Sequence, residues 1–282
     1  MRLISLLAVL FLSSGVLAQD YYLFIGTYTN GKSKGIYVYD FNAADGSAKP
    51  ISVQEASNPS YLAIAPGGRF VYAVNENDGQ EGEVSAYSFS RADGSLHFID
   101  KVKSGGESPC FISLDHARNW AFVANYNGGN LAAFPINRDG SIAPLAELIQ
   151  HMGTGPNKER QEKAHVHSAF LTPDEHFIFS ADLGMDKIAI YRFNPGAKKP
   201  LSDAADSLVS LEPGSGPRHL AFHPTLPFVY VIDELSATVD AFQYGPGKPQ
   251  HLQRISSVQA GFKGQNGSAD IHVSPDGRFV YA

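Results

Sequence analysis

Little in this chain would staple it, anchor it or draw it to polyanions. Its 282 residues include one cysteine, Cys110, so no internal disulfide can form. Cys110 sits in an apolar strand pattern, which favours a small buried side chain over a nucleophile. The apolar run Ile4–Leu12 is too short to span a bilayer. The net charge is −6 and nothing resembles a basic stripe, which excludes nucleic acid as an expected partner. No long amphipathic helix is visible, while glycine is abundant at 27 residues, and together these point to an all-β fold rich in turns.

What is present begins with a leader. Arg2 supplies a positive n-region, Ile4–Leu12 the apolar run and Val16-Leu17-Ala18 a small-residue cleavage site, so residues 1–18 read as a signal peptide. No cysteine follows it, which argues against a lipid anchor. Removing the leader takes away one cation and leaves a net charge of about −7. The expectation is a mildly acidic exported protein, periplasmic or extracellular, with residues 19–282 as one domain and no membrane span. The sequence carries no signal of oligomeric state.

Internal repeats decide the architecture. A polar turn, a short apolar strand, a marked turn and a second apolar strand recur along the chain. The marked turns fall at Pro66, His116, Pro173, Pro224 and Pro275, at spacings of 50, 57, 51 and 51 residues. A period near fifty with several short strands per period is the pattern of propeller blades. In the unit starting at Asn58 the expected strands are 61–65, 70–75, 83–90 and 96–102, with Asp93-Gly94 turning the third into the fourth. Asp139-Gly140 does the same one unit later, and the loop from Gly153 to Lys163 takes up the longer interval. The first unit has only counterparts of later strands, in 22–28 and 35–41, and the chain stops inside the second strand of its sixth unit. The expectation is therefore a C-terminally truncated propeller of five blades and a partial sixth, its ring open and weakly stable.

Polar residues cluster at the two ends of each repeat's strand pair. Asn75-Glu76, Asn125, Asp182 and Asp233-Glu234 end the second strands. Asn58, Ser108, His165 to His167, Arg218-His219 and Asp270 precede the first. For the Asn and Asp residues the plainer reading is turn and cap chemistry. Long charged side chains are not needed to close such turns, so Arg218, His167 and Glu234 stand out as candidate catalytic residues. His165, His219, Asp182 and Asn125 are candidate substrate contacts. His165-Val-His167 has the spacing of a metal pair on a strand, because alternate residues share a face. No other cluster supplies ligands, so neither a metal nor another cofactor is expected.

Gly26-Thr-Tyr-Thr29, Asn58-Pro-Ser60, Gly106-Glu-Ser-Pro-Cys110, Val123-Ala-Asn-Tyr126 and Gly155-Pro-Asn-Lys-Glu-Arg-Gln161 form one set of motifs. His165-Val-His-Ser168, Ala181-Asp-Leu-Gly184, Gly216-Pro-Arg-His-Leu-Ala-Phe-His-Pro224 and Asp270-Ile-His-Val-Ser-Pro-Asp-Gly-Arg278 complete it. Together they resemble the seven-bladed β-propeller lactonases, which include bacterial 6-phosphogluconolactonase and the fungal carboxy-cis,cis-muconate cyclases. The resemblance covers Tyr22 to Ala282. It implies seven blades and a functional His, Arg and Glu in the central cleft, falling on His167, Arg218 and Glu234, with a further Arg beyond Ala282. It implies a small-molecule lactone, or an anionic sugar or carboxylate, as substrate.

Opening a lactone needs an activated water and a partner for the carbonyl oxygen as it becomes anionic. His167 or Glu234 would take the proton from water, and Arg218 would hold the oxyanion or a substrate carboxylate or phosphate. Two other readings use the same residues. One is a lactonising cyclase of the muconate type, and the other is an exported binding propeller without turnover.

Overall fold

The computed structural model describes residues 20–282 except 78 and 246, so the expected leader at 1–18 lies outside the described residues. The chain runs through successive antiparallel sheets, each built from strands adjacent in sequence. The first sheet has three strands, β1 (Asp20–Ile25), β2 (Gly35–Asn42) and β3 (Ala48–Glu55). The second has four, β4 (Leu62–Ile64), β5 (Phe70–Asn75), β6 (Glu81–Ser90) and β7 (Ser95–Glu107). The third comprises β8 (Pro109–Leu114), β9 (Trp120–Asn125), β10 (Asn130–Pro135) and β11 (Glu147–Gln150). The fourth comprises β12 (Val166–Leu171), β13 (Phe177–Asp182), β14 (Lys187–Phe193) and β15 (Leu201–Ser210). The fifth comprises β16 (Pro217–Phe222), β17 (Phe228–Asp233), β18 (Thr238–Gln243) and β19 (Gln250–Ser256). A hairpin of β20 (His272–Val273) and β21 (Val280–Tyr281) follows.

The expected strand order within each repeat is present, with edges moved by a few residues. β4 is shorter than its apolar run, and β7 extends to Glu107. The turns form as their residues dictate. Asp93 Oδ1 accepts from the Ser95 amide at 3.1 Å, and Asp139 Oδ1 accepts from the Ser141 amide at 3.0 Å. Gly94 and Gly140 occupy the positive-φ positions of these turns, at 68° and 91°.

Burial explains why the second strands read as continuous apolar runs. Every residue of β5 and of β9 is buried, because each strand lies between two neighbouring sheets. The core is correspondingly divided into layers between blades. Tyr72, Val74 and Val84 of the second sheet pack with Ile112, Val123 and Phe134 of the third. Phe122 and Leu131 of the third pack with Ile178 and Tyr191 of the fourth, and Phe179 and Ile188 of the fourth with Val229 and Phe242 of the fifth. The buried Tyr72 phenol donates to the Gly140 carbonyl at 2.9 Å, which removes the cost of an unpaired hydroxyl in such a layer. The first strands β4, β8, β12 and β16 contact one another in turn and form the inner wall.

Candidate active site

The inner strands carry a shared irregularity. Pro109 pairs with Asn125 and Phe111 with Ala124, which leaves Cys110 as the extra residue of a β-bulge. His167 is the extra residue on β12, between Val166 paired to Asp182 and Ser168 paired to Ala181. Arg218 is the extra residue on β16, between Pro217 paired to Asp233 and His219 paired to Ile232. A bulge re-aims a side chain. Here it turns Cys110, His167 and Arg218 into one cavity of about 410 Å³. The residues just past β5, β9 and β17 contribute Glu76, Tyr126 and Glu234 to the same cavity.

Glu234 is the hub. Its Oε2 accepts from Arg218 Nε at 3.1 Å, and its Oε1 accepts from Arg160 Nη2 at 2.6 Å. His167 Nε2 stands 3.8 Å from the same Oε2, too far for a direct hydrogen bond and close enough to share a water. Arg160 Nη2 also donates to the Tyr126 hydroxyl oxygen at 3.1 Å, and Arg218 Nη1 donates to the Ala269 carbonyl. The three residues singled out in the sequence therefore meet, although 67 positions separate His167 from Glu234.

Burial holds the His167 imidazole well below its usual range, and the nearby Arg218, His219 and Arg160 push it the same way. The ring is neutral at neutral pH. Burial and the Glu76 carboxylate raise the Cys110 thiol, so it stays protonated and inert as a nucleophile. Burial also raises the Tyr126 phenol, against the pull of Arg160, and keeps its proton on.

Three candidate substrate contacts are corrected by their positions. His165 does not line the cavity: its Nε2 faces the Glu162 carboxylate at 3.1 Å, and its ring stacks on Tyr126 at 4.4 Å. The bulge at His167 breaks the alternation that would have put both imidazoles on one face. Their Nε2 atoms point to different carboxylates, and no group of three or more His, Cys, Asp or Glu side chains suited to a metal forms among the described residues. Asp182 is fully buried and accepts from the His165 amide at 2.9 Å and from His151 Nδ1 at 2.8 Å. Asn125 is likewise buried and donates to the Ser104 carbonyl at 3.1 Å and to Asn130 Oδ1 at 2.8 Å. Both residues tie strand ends to adjoining loops, which is the turn and cap chemistry of the plainer reading. His219 does line the cavity.

Arg160 was the residue that pattern reasoning missed. It lies in the loop that lengthens one repeat, in the stretch Gly155–Gln161. Asn157 Oδ1 caps the Glu159 and Arg160 amides at 3.0 and 3.2 Å. Gln161 is buried and donates to the Leu183 carbonyl at 2.9 Å and to Asp186 Oδ1 at 2.6 Å. Gly184 lets this loop approach, since a Cβ there would overlap the Lys163 carbonyl oxygen. So pinned, the loop delivers Arg160 to Glu234. A larger cavity of about 470 Å³, lined by Phe177, Phe179, Ile190 and Tyr244, lies between the fourth and fifth sheets and has no comparable convergence of charged groups.

Successive like sheets whose inner strands gather His, Arg and Glu side chains around one cavity define a β-propeller with a charged inner site. The comparisons name the family. The profile described as "Lactonase, 7-bladed beta-propeller" matches residues 22–282, and the chain belongs to that family. It is 36% identical over 261 residues to 6-phosphogluconolactonase of Bacillus subtilis, covering 92% of this chain and 73% of that protein. Among solved structures it resembles a putative 6-phosphogluconolactonase of Bacteroides fragilis, with a TM-score of 0.89 and 38% identity over 95% of this chain and 75% of that one. It also resembles the periplasmic gluconolactonase of Pseudomonas aeruginosa, with a TM-score of 0.87 and 41% identity over 93% of this chain and 75% of that one.

Proposed function

We propose that this chain hydrolyses a sugar-derived lactone, with His167 as the base. The observation that carries this is the convergence of His167 Nε2 and two guanidinium groups on Glu234 in one cavity. Both Glu234 oxygens already accept from arginine, whereas His167 Nε2 has no hydrogen bond among the described residues. The neutral imidazole is therefore the freer acceptor for a proton from water, a role worth roughly 10²–10⁴ in rate. Arg218 stabilises the carbonyl oxygen as it becomes anionic, and loss of such a donor costs about 10²–10³. Glu234 acts through the arginines by fixing their orientation.

Water adds to the carbonyl carbon as its proton passes to His167 Nε2. The tetrahedral oxyanion collapses, the ring C–O bond breaks, and the imidazolium returns the proton to the departing ring oxygen. The product is the open-chain hydroxy acid. No redox partner is involved. The relatives' names, 6-phosphogluconolactonase and gluconolactonase, favour this reading over lactonisation of a muconate or binding without turnover. Initial rates on D-glucono-1,5-lactone and its 6-phosphate, corrected for spontaneous opening, test it. Rates indistinguishable from buffer on both would reject it.

We also infer export. The leader at residues 1–18 and the periplasmic relative support it, and no helix among the described residues is long and apolar enough to cross a membrane. Fractionation of cells expressing the full chain would show it in the cytosol if this is wrong. Finally, we infer that the ring is open in this chain. Tyr21, Leu23 and Ile25 on β1 and Phe279, Val280 and Tyr281 around β21 are exposed, unlike the sealed layers between the second and fifth sheets.

A further inference from the structure

The cavity wall holds a buried group that the hydrolytic scheme leaves unused. His219 follows Arg218 on β16. In a regular strand consecutive side chains face opposite ways, but the bulge at Arg218 lets both line the cavity. The His219 side chain is only 3% exposed. Its Nδ1 lies 2.8 Å from Asp270 Oδ1, and a carboxylate can only accept, so Nδ1 carries a hydrogen. Asp270 is held in turn by the Ile271 amide on Oδ1 and by His272 Nε2 on Oδ2, each at 2.9 Å.

Burial lowers the His219 imidazole below its ordinary range, and Arg218 adds to this against the opposing pull of Asp270. A neutral ring with its hydrogen on Nδ1 presents Nε2 as a bare lone pair. That atom is buried and has no hydrogen-bond partner among the described residues. The rings around it, those of Tyr61, Phe111 and His167, meet it edge-on at centroid distances of 5.6, 5.4 and 5.4 Å, and none of their polar atoms bonds to it. Buried acceptors are as a rule paired. An unpaired one on a cavity wall is the mark of a place where a ligand brings the donor.

We propose that His219 Nε2 accepts a hydrogen bond from a hydroxyl group of the substrate, and that Asp270 is the positioning residue that sets the His219 tautomer for it. The proposal rests on the lactonase reading and adds to it the side chain that recognises a ring hydroxyl of the sugar lactone. A lactone held by its carbonyl at Arg218 presents a neighbouring ring hydroxyl to the adjoining residue on the same strand. A lactone without hydroxyls leaves Nε2 unpaired, and a site built to bind a hydroxyl rejects the analogue that lacks it.

The test uses two ligands of equal charge, D-gluconate and hexanoate, titrated calorimetrically into the full chain and into His219→Phe and Asp270→Asn. Phe fits among the aromatic neighbours, and Asp270 keeps two other donors. We expect gluconate affinity to fall about tenfold in His219→Phe and several-fold in Asp270→Asn, with hexanoate affinity unchanged within twofold. Equal losses for both ligands, unchanged gluconate affinity in His219→Phe, or no gluconate binding to the wild type would overturn the proposal. Should His219→Phe fail to fold, Asp270→Asn carries the same contrast, because that side chain is 46% exposed. Parallel rates on D-glucono-1,5-lactone and δ-valerolactone separate the two readings. A wild type that opens neither but binds gluconate through His219 would end the hydrolytic reading and leave the hydroxyl subsite standing.

Discussion

Replacing Glu234 with glutamine tests how the arginines are held. Glutamine keeps the shape but loses the charge, and it turns one oxygen into an NH₂ group that cannot accept. At least one of the two bonds, Oε1 to Arg160 at 2.6 Å or Oε2 to Arg218 at 3.1 Å, must then break. The glutamate side chain is 16% exposed and that of Arg218 23%, so their bond is sheltered and worth about 1.5–3 kcal/mol. The Arg160 side chain is 43% exposed, and solvent screening reduces its pair to about 0.2–1 kcal/mol. We expect Glu234→Gln to lower stability by about 1–3 kcal/mol, a fall in Tm of several degrees for a chain of this size. The larger effect is on rate. An Arg218 freed at Nε no longer aims its remaining N–H groups at a developing oxyanion, and kcat should fall about 10²–10³. Initial rates on D-glucono-1,5-lactone in a pH-stat, with a melting curve on the same sample, measure both. A folded Glu234→Gln protein with kcat/KM within threefold of wild type would refute the clamp.

Four further outcomes follow from the structure. His167 and His219 are held neutral below the ordinary histidine value of 6.5, so the acid limb of kcat/KM should lie below pH 6.5; a limb at or above that value contradicts the assignment of the base. The unfolded chain binds more protons on these rings, so stability is complete above pH 6.5 and is lost as pH falls through their lower folded values, which Tm against pH will show. Arg160→Ala should raise KM and cost less than about 1 kcal/mol of stability, with a smaller rate loss than Arg218→Ala; equal damage from the two would give Arg160 the oxyanion role. The exposed apolar residues of β1 and β21 should bind an apolar dye such as ANS and broaden the thermal transition; a sharp, reversible transition without dye binding would contradict the open ring.

The blade pattern was legible in the sequence for a plain physical reason. Strands packed on both faces, such as β5 and β9, must be apolar at nearly every position, and the turns between strands need Asp-Gly or Pro. The convergence of His167, Arg218 and Glu234 was legible as well, because charged side chains at the ends of apolar strands have no structural need to be there. The bulge was not. Nothing in Val166-His167-Ser168 or Pro217-Arg218-His219 announces an extra residue, yet that residue breaks the alternation that would otherwise decide which side chains meet the cavity, and on β16 both Arg218 and His219 line it. Strict alternation put His165 and His167 together, and the bulge separates them. Asn125 and Asp182 look like cavity residues by position, but their short side chains fold back onto local backbone. Arg160 was hidden because its loop has no repeat counterpart, and only the buried Gln161 contacts bring it to Glu234.

The central claim is that one inner cavity, shared by the bulged residues of neighbouring blades, binds the sugar acid and opens its lactone. A crystal structure with D-gluconate at saturating concentration measures this most directly. The account predicts the carboxylate within hydrogen-bond distance of Arg218, one of its oxygens facing His167 Nε2. Gluconate lodged between Phe179 and Tyr244 in the outer cavity, with the inner one unvisited, would contradict it.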